Sequence, residues 1–494
     1  MPLWLAAAAL AFAAPDDAKT LSPPNGKVIG DLRTIAKAAT AGDCETVVRL
    51  GVPLIEGPEI KTLSPELRDA GFVMVVGCEA TIGRLSAAFR HSETAVTLGA
   101  ESDGLWDLHL KLALAESKHQ AAVRAIEVMA SKHPERLGSV RIAWIFDALR
   151  DMKKAGETDL RFRALTVLTS PAYRPVEVPA SIDAFRRDLI LMLMARGDVD
   201  GARRLVGQIE MPEILIDLSL DRTARSLFEG DPDVRLVAER YLATVLALQE
   251  TNRDRIRPTL AAASMLRLLG RPAEALALLE ASRPQLKKPE ALKDADALEW
   301  WWDELGRAQS ALNRPDAAFD AYGRGAQIDE DGALNVSQVI NLATVQVEAG
   351  RSADALKTLK AFDDPKRRAS PFGDMQMRLA RGCARFLTND LAGATADRDY
   401  MVAHEADSPE ALTLLWMCRG DADAAAAAFV RRLDNPDEAA GALRQLSDFA
   451  PPPVVRPPNP FDRLLPAIKA RADVQAAIAR AGGIRRFNVR PPDS

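Results

Sequence analysis

Few side chains in this sequence are spaced as catalytic or metal-binding groups. Metal sites and nucleophilic enzymes need His, Cys, Ser or carboxylate groups close enough to activate one another. The sequence contains no G-x-S-x-G, P-loop or G-x-G-x-x-G motif and no C-x2-C pair. No H-E-x-x-H or related spacing joins the five histidines, which are His91, His109, His119, His133 and His404. We therefore expect no catalytic residue, no metal site and no cofactor.

One dipeptide leaves an enzymatic alternative open. Glu116-Ser117 superficially resembles the catalytic Glu-Ser of the soluble lytic transglycosylases, exported helical enzymes that cleave peptidoglycan. The dipeptide falls at a predicted turn between helices, and the Gly-rich sequence expected downstream for a sugar-binding lobe is missing. We interpret the match as coincidence and keep this enzyme class as the weakest alternative.

The four cysteines suggest one disulfide. Cys44 opens a predicted helix, and Cys78 lies near the end of the next one. In a stack of antiparallel helices the start of one helix lies beside the end of the following helix, so we expect Cys44 to pair with Cys78. Cys383 and Cys418 fall on helices predicted to run parallel, which favours a bridge less, and their pairing stays open. The alternative for all four is a small buried apolar side chain.

The first residues are typical of a secretory signal peptide. Leu3 to Ala13 form an apolar run too short to span a bilayer, and this run ends in Ala11-Phe12-Ala13. We expect cleavage after Ala13 and a periplasmic or secreted protein without a transmembrane segment. The alternative is a buried apolar terminus in a cytoplasmic protein.

The composition predicts an all-α chain. Aromatic residues make up only 5% of its 494 residues, and runs of β-branched residues are scarce. The length favours several domains or an elongated array. Lys and Arg total 64 against 69 acidic residues, a net charge of -5, so no global positive field attracts nucleic acid, and we expect no nucleic-acid partner.

A turn followed by an alanine pair recurs along the chain. In each copy a helix ends at Gly or Asn, a basic residue and Pro or Ser follow, and the next helix brings Ala against its neighbour. The clearest copies are 269–276, 312–319 and 349–356; weaker copies lie at 116–122, 197–202, 389–394 and 420–425. The copies predict a series of helical hairpins.

The spacing of the packing alanines supports a repeat. Ala275, Ala318, Ala355, Ala394 and Ala425 follow one another at intervals of 43, 37, 39 and 31 residues. These intervals scatter around the period of about 34 residues that is known for tetratricopeptide repeats. The longer intervals from Ala122 to Ala202 and from Ala202 to Ala275 are each close to two periods, so each should contain a further hairpin.

One copy resembles the tetratricopeptide family pattern W-x2-L-G-x2-Y, A-x3-F. It contains Trp302, Leu305 and Gly306, then Ala318 and Tyr322, and departs only at Gln309. The resemblance extends over about 31–449 and is most specific in 255–365. It implies a right-handed α-solenoid, in which small residues let crossing helices approach and large residues fill the space between repeats.

In this family the first helix of each repeat lines a concave groove, which suggests the groove residues here. With Trp302 in the core, the resemblance places nine residues in the groove: Arg257, Ser264, Arg267, Trp300, Asp303, Arg307, Ser310, Ser337 and Thr344. Three consecutive tryptophans, Trp300 to Trp302, point about 100° apart on a helix, so at least one should be exposed. A tryptophan flanked by arginines suits an extended peptide or an acidic segment. We therefore expect a scaffold whose partner is a protein or an extended peptide; solvated arginine pairs and a packed Trp300 are the alternative.

Two proline-rich segments divide the array. We expect a signal peptide (1–13), a flexible segment (14–30), degenerate helical repeats (31–169), a Pro-rich connection (170–180), tetratricopeptide-like repeats (181–450), a stiff Pro-rich linker (451–460), and capping helices with a tail (461–494). A detached docking module is the alternative for the last segment.

Overall fold

The computed structural model describes residues 23–175, 182–330, 332–455 and 459–492. It contains two compact units, divided between Met192 and Leu193. The division falls inside a helix, downstream of the Pro-rich segment 170–180. The predicted signal peptide lies outside the described residues. The prediction of a flexible segment over 14–30 is wrong for 23–30, because these residues belong to a helix that buries Val28 and Leu32.

Unit 1 consists of helical hairpins. Its helices are α1 (Pro23–Thr40), α2 (Cys44–Glu56), α3 (Pro65–Thr81), α4 (Leu85–Thr97), α5 (Asp103–Ala115), α6 (His119–Lys132), α7 (Pro134–Gly138), α8 (Ile142–Lys154) and α9 (Thr158–Leu168). Helix α10 (Ile182–Ala195) contains the division between the units.

Unit 2 also consists of helical hairpins. Its helices are α11 (Val199–Val206), α12 (Pro212–Leu220), α13 (Val234–Thr251), α14 (Arg257–Leu268), α15 (Pro272–Ser282), α16 (Leu298–Ala311), α17 (Pro315–Gly325), α18 (Ser337–Glu348), α19 (Ser352–Leu359), α20 (Pro371–Leu387), α21 (Leu391–Ala403), α22 (Pro409–Arg419), α23 (Ala422–Asp434), α24 (Ala439–Leu446), α25 (Leu465–Lys469) and α26 (Ala472–Ala481). The described ranges contain isolated β-bridges but no β-strand, and no helix in them is long and apolar enough to cross a membrane.

The predicted turns are where the hairpins bend. At every predicted copy one residue adopts a positive φ, the left-handed conformation that ends a helix: Ser117, Gly197, Gly270, Asn313, Gly350, Asn389 and Gly420. Three of the weaker copies, at 197–202, 389–394 and 420–425, use an aspartate instead, as in Asp390, whose side chain accepts a hydrogen bond from the Gly393 N–H and caps the next helix.

The predicted packing alanines are fully buried. Ala122, Ala202, Ala275, Ala318, Ala355, Ala394 and Ala425 each occupy the fourth position of a second helix and have no exposed surface. Helices α8 and α9 form the further hairpin expected between Ala122 and Ala202, with Gly156 at its turn and Arg161 in the position of the alanine. Between Ala202 and Ala275 the chain forms α12 and α13 with a 3-10 turn between them.

The best-matched repeat shows why small residues recur. A Cβ atom built on Gly306 of α16 would lie 2.6 Å from the ring of Tyr322 of α17, which is itself buried. The two helices therefore cross at contact distance, as the family pattern implies.

Gly306 and Gly323 offer a matched test of this packing. We expect Gly306→Ala to lower the free energy of unfolding by about 1–3 kcal/mol, because the new methyl group would overlap the buried Tyr322 ring. Gly323→Ala, in α17 with no atom within 4 Å of the new methyl group, should instead raise it by up to about 1 kcal/mol through helix propensity. Urea denaturation of both variants checks the prediction, and equal effects would contradict it.

Two disulfides join successive repeats. Cys44 at the start of α2 is bonded to Cys78 near the end of α3, with a Cα–Cα distance of 4.8 Å. Cys383 of α20 and Cys418 of α22 are also bonded, with a Cα–Cα distance of 5.9 Å. The second bridge runs against the expectation from helix direction: α20 and α22 are adjacent first helices, and their direct contact brings the two Cβ atoms together whichever way the helices run.

Candidate partner-binding groove

The first helices of five successive hairpins form one continuous face of unit 2. These helices are α14, α16, α18, α20 and α22, and each contacts the next first helix as well as its own partner helix. A cavity of about 290 Å³ shows which positions face this side: it is lined by Thr344 of α18, Gln376 of α20 and Leu414 of α22, among others. We call this face, between α14 and α22, the groove.

The three tryptophans occupy three environments. Trp301, and not Trp302, is the fully buried one, and its Nε1 donates a hydrogen bond to Oγ of Ser282. Trp302 is half-buried and lies between the guanidinium groups of Arg283 and Arg324. Trp300 is 39% exposed, as the 100° rotation between neighbours requires for at least one of them. The assumption that Trp302 is the core residue is therefore wrong by one position.

Three predicted groove residues belong to a polar network that joins the first helices. Arg267 of α14 is buried and donates two hydrogen bonds to the Glu304 carboxylate of α16, at 2.5 and 3.2 Å. Next to this pair, the buried Asp303 accepts hydrogen bonds from Arg307 at 2.6 Å and from the Asn341 amide of α18 at 2.8 Å. Arg267, Asp303 and Arg307 thus stabilise the stack, and none of them is a freely solvated side chain.

The environment of Arg307 follows from this network. Burial of the guanidinium is the largest single influence and acts to lower its pKa, but the charge and hydrogen bond of Asp303, together with Tyr322 and Glu304, outweigh burial and raise the pKa above its usual value. Burial raises the pKa of Tyr322, and Asp303 adds to this effect. Both side chains keep their ordinary protonation at neutral pH.

The remaining predicted residues divide between helix starts and the groove. Arg257 is exposed at the start of α14 and pairs with Asp296. Ser337 is the first residue of α18, and its N–H and hydroxyl groups donate hydrogen bonds to the Glu330 carboxylate. Ser264 is half-buried in α14. Among these five residues, Ser310 and Thr344 line cavities, of about 430 and 290 Å³.

Part of the groove is occupied by the Pro-rich segment of the same chain and the residues that follow it. Pro452 to Val454 lie beside Arg267 and Ala311, and Asn459 and Pro460 line the cavity that contains Ser310. Phe461 is buried among side chains of α18, α20 and α22. The described residues of the predicted Pro-rich linker, 451–455 and 459–460, lie along the array, and the stiffness of the linker stays a prediction.

The residues after this segment close unit 2. Helices α25 and α26 pack on α23, the last second helix, as capping helices would. Beyond them, the Arg485 side chain donates to the carbonyl oxygens of Ser219 and Gly230, and the Arg490 N–H donates to the Leu268 carbonyl oxygen. The tail therefore binds α12 to α14, and α12 itself contacts α24.

Sequence reasoning missed the groove contacts of the C-terminal segment. Asn459-Pro460 is a turn signal that the surrounding prolines concealed. The sequence offers no comparable signal for the contacts of Arg485 with Ser219 and Gly230 or of Arg490 with Leu268, which join residues more than 200 positions apart.

The histidines of unit 1 join helices. His91 contacts Glu79 at 2.8 Å and Glu56 at 3.2 Å, and the hydrogen bond with Glu79 is the main reason that its pKa is raised. His109 is buried, contacts Oγ of Ser92 and stacks on Phe89. Burial, with a smaller contribution from Arg124, lowers the pKa of His109 to about 4. Glu116 lies at its predicted turn, where its carboxylate accepts a hydrogen bond from Ser86.

His109 should make unit 1 sensitive to acid. Its pKa is about 4 in the folded state and 6.5 ordinarily, so between these values the unfolded chain binds the proton first and stability falls as the pH falls. The loss between pH 7.5 and 5 is about 2 kcal/mol. His91 acts in the opposite direction, since its raised pKa stabilises the fold below its unfolded value and this contribution is lost as pH rises through the folded pKa.

Comparison of His109→Gln with wild type isolates the contribution of His109. His109→Gln should reduce the pH dependence of urea unfolding in this range by about that amount. His404→Gln, in unit 2, should leave it unchanged. The same slope in wild type and His109→Gln would show that the proton uptake lies elsewhere.

No family model matches the chain, and no curated protein matches it. Similar solved structures include the apo form of RapI (10% identity, covering 85% of this chain and 98% of that one, TM-score 0.38). Yeast Tom70 is 10% identical over 85% of this chain and 94% of its own, with a TM-score of 0.32. A Cut9-Hcn1 structure is 12% identical over 97% and 99%, with a TM-score of 0.29.

Because these TM-scores are low, the fold is assigned from the hairpins, turns and buried alanines of the chain itself. The fold is a tetratricopeptide-like α-solenoid. In such an array the groove is built from side chains of several repeats and needs no catalytic centre. Within the described residues no cluster of three or more potential metal ligands occurs.

Proposed function

We propose that this protein is an exported, non-catalytic scaffold that binds a protein or an extended peptide in the groove of unit 2. The observation that carries the proposal is the occupied groove: a Pro-rich segment of the same chain lies along the first helices and inserts Phe461 between three of them. A surface that holds one peptide segment through apolar contacts and helix-end carbonyl groups has the chemistry to bind another.

Export is the part of the proposal that depends on the first 13 residues. The two bonded cysteine pairs are consistent with an oxidising compartment. Fractionation of cells that express the chain with a C-terminal tag should give a periplasmic protein beginning at Ala14. A cytoplasmic protein that retains Met1 would favour the alternative, a cytoplasmic helical regulator.

Partner binding can be tested by photo-crosslinking from the groove in living cells. A photoreactive amino acid at Thr344, which lines a groove cavity, should give a discrete adduct of higher mass. The same amino acid at Lys357, on the second helix α19 with its side chain 74% exposed, serves as the control. Adducts of equal yield from both positions, or none from Thr344, would contradict binding in the groove.

A further inference from the structure

The segment that inserts into the groove is a tight turn. The Asn459 side chain accepts hydrogen bonds from the N–H groups of Phe461 at 2.8 Å and Asp462 at 3.1 Å. The backbone carbonyl oxygen of Asn459 accepts a further hydrogen bond from the Arg463 N–H at 3.2 Å. Asparagine followed by proline suits the first two positions of such a turn, because the side chain mimics a backbone acceptor and proline fixes φ. The turn is thus specified locally, by its own residues.

Two side chains of the turn make specific contacts with the groove. Phe461 is only 6% exposed and joins the apolar cluster that contains Leu379 of α20 and Leu415 of α22. Arg463 donates from Nη2 to the Cys418 carbonyl oxygen at 2.9 Å. This oxygen lies at the end of α22, where the unpaired carbonyl groups of a helix favour a cation.

The receiving site has an open cleft beside the turn. The cleft, of about 290 Å³, is lined by Asn459, Phe461 and Asp462 of the turn and by Thr344, Gln376 and Met417 of α18, α20 and α22, among others. Apolar and amide side chains of three first helices thus lie beside the turn, while Phe461 itself is buried.

We propose that this site recognises a partner segment of the same chemistry: an Asn-Pro-Phe turn with a cationic residue two positions after the phenylalanine. Residues 459–463 are an internal copy of that ligand, which the partner displaces. This inference rests on the proposed function, since it names the chemistry of the partner that the groove binds. The tethered copy is present at an effective concentration in the millimolar range, so it restricts binding to partners that are themselves tight or locally concentrated.

The test uses the full chain and a fluorescent peptide with the sequence of residues 459–465, Asn-Pro-Phe-Asp-Arg-Leu-Leu. Phe461→Ala removes the apolar anchor of the internal copy and should raise the affinity for the peptide at least about tenfold over wild type, by fluorescence anisotropy. A peptide with alanine in place of the phenylalanine should lose at least about tenfold on the same variant. Val455→Ala, at a position 88% exposed in the same segment, should match wild type.

Three results would overturn the proposal: no binding of the peptide to a folded Phe461→Ala variant, equal binding of both peptides, or a gain of equal size from Val455→Ala. Should circular dichroism show that Phe461→Ala does not fold, Arg463→Ala replaces it. That variant keeps Phe461 and loses the hydrogen bond to Cys418, so the expected gain is about threefold; an unchanged affinity is then the overturning result.

The outcome separates this proposal from the scaffold function. Crosslinked adducts from Thr344 without peptide binding would support the scaffold function and contradict the proposal that the scaffold binds the Asn-Pro-Phe turn. Peptide binding without adducts in cells would support recognition of the turn and contradict the proposal that the groove binds a partner after export.

Discussion

Arg267→Met should lower the free energy of unfolding of unit 2 by about 3–5 kcal/mol, because it leaves the Glu304 carboxylate buried without its partner. Both side chains are nearly inaccessible, at 3% and 10% exposure, and two hydrogen bonds join them. An unpaired buried carboxylate keeps the full cost of its desolvation. Urea denaturation followed by circular dichroism measures the change.

Two further variants test whether the lost pairing of Arg267 with Glu304 is the reason for the loss of stability. Arg267→Met combined with Glu304→Leu removes both charges and should recover much of the lost stability. Arg257→Met breaks the exposed pair with Asp296, which also links α14 to the chain just before α16; it should change the stability by no more than about 1 kcal/mol. A double variant as unstable as Arg267→Met alone would show that the loss comes from packing.

Removing the bridge between Cys44 and Cys78 should cost unit 1 about 4 kcal/mol. The two residues are 34 positions apart, and the bond limits the freedom of the unfolded chain between them. The double variant Cys44→Ala with Cys78→Ala, unfolded in urea without reductant, gives the measurement.

Wild type treated with reductant is the control for the disulfide. It should unfold at a lower urea concentration than the double variant, because reduction also opens the bridge between Cys383 and Cys418. Alkylation of the unreduced, unfolded wild type should modify no cysteine. Modification of all four thiols would mean that the bridges do not form in the isolated protein.

The sequence predicted the repeats well because their signals are local. A residue such as Gly270 or Asn313 indicates a positive φ, and an alanine at the fourth position of the next helix indicates a close crossing of the two helices. Each signal is read within about ten residues, so the hairpins could be placed without knowledge of the rest of the chain.

The groove was predicted less well because its contents depend on distant residues. Whether Arg267 faces solvent or a carboxylate is decided by Glu304, one repeat away, and whether the groove is open is decided by Phe461. The error at Trp302 has a similar origin: of the three adjacent tryptophans only Trp302 has the family spacing to Leu305 and Gly306, but Trp301 is the fully buried one and donates a hydrogen bond to Ser282 of the preceding hairpin.

The tail contacts have a consequence for biosynthesis. A ribosome-bound chain that has reached Ser447 already contains every repeat hairpin of unit 2, yet it lacks Arg485 and Arg490, which tie α12 and α14 to the far end of the array. Completion of unit 2 therefore waits for residues made some 250 positions later than the helices they hold. Until then the apolar cluster that receives Phe461 lacks this side chain, so a nascent chain of this protein has a period in which chaperone binding or self-association competes with closure.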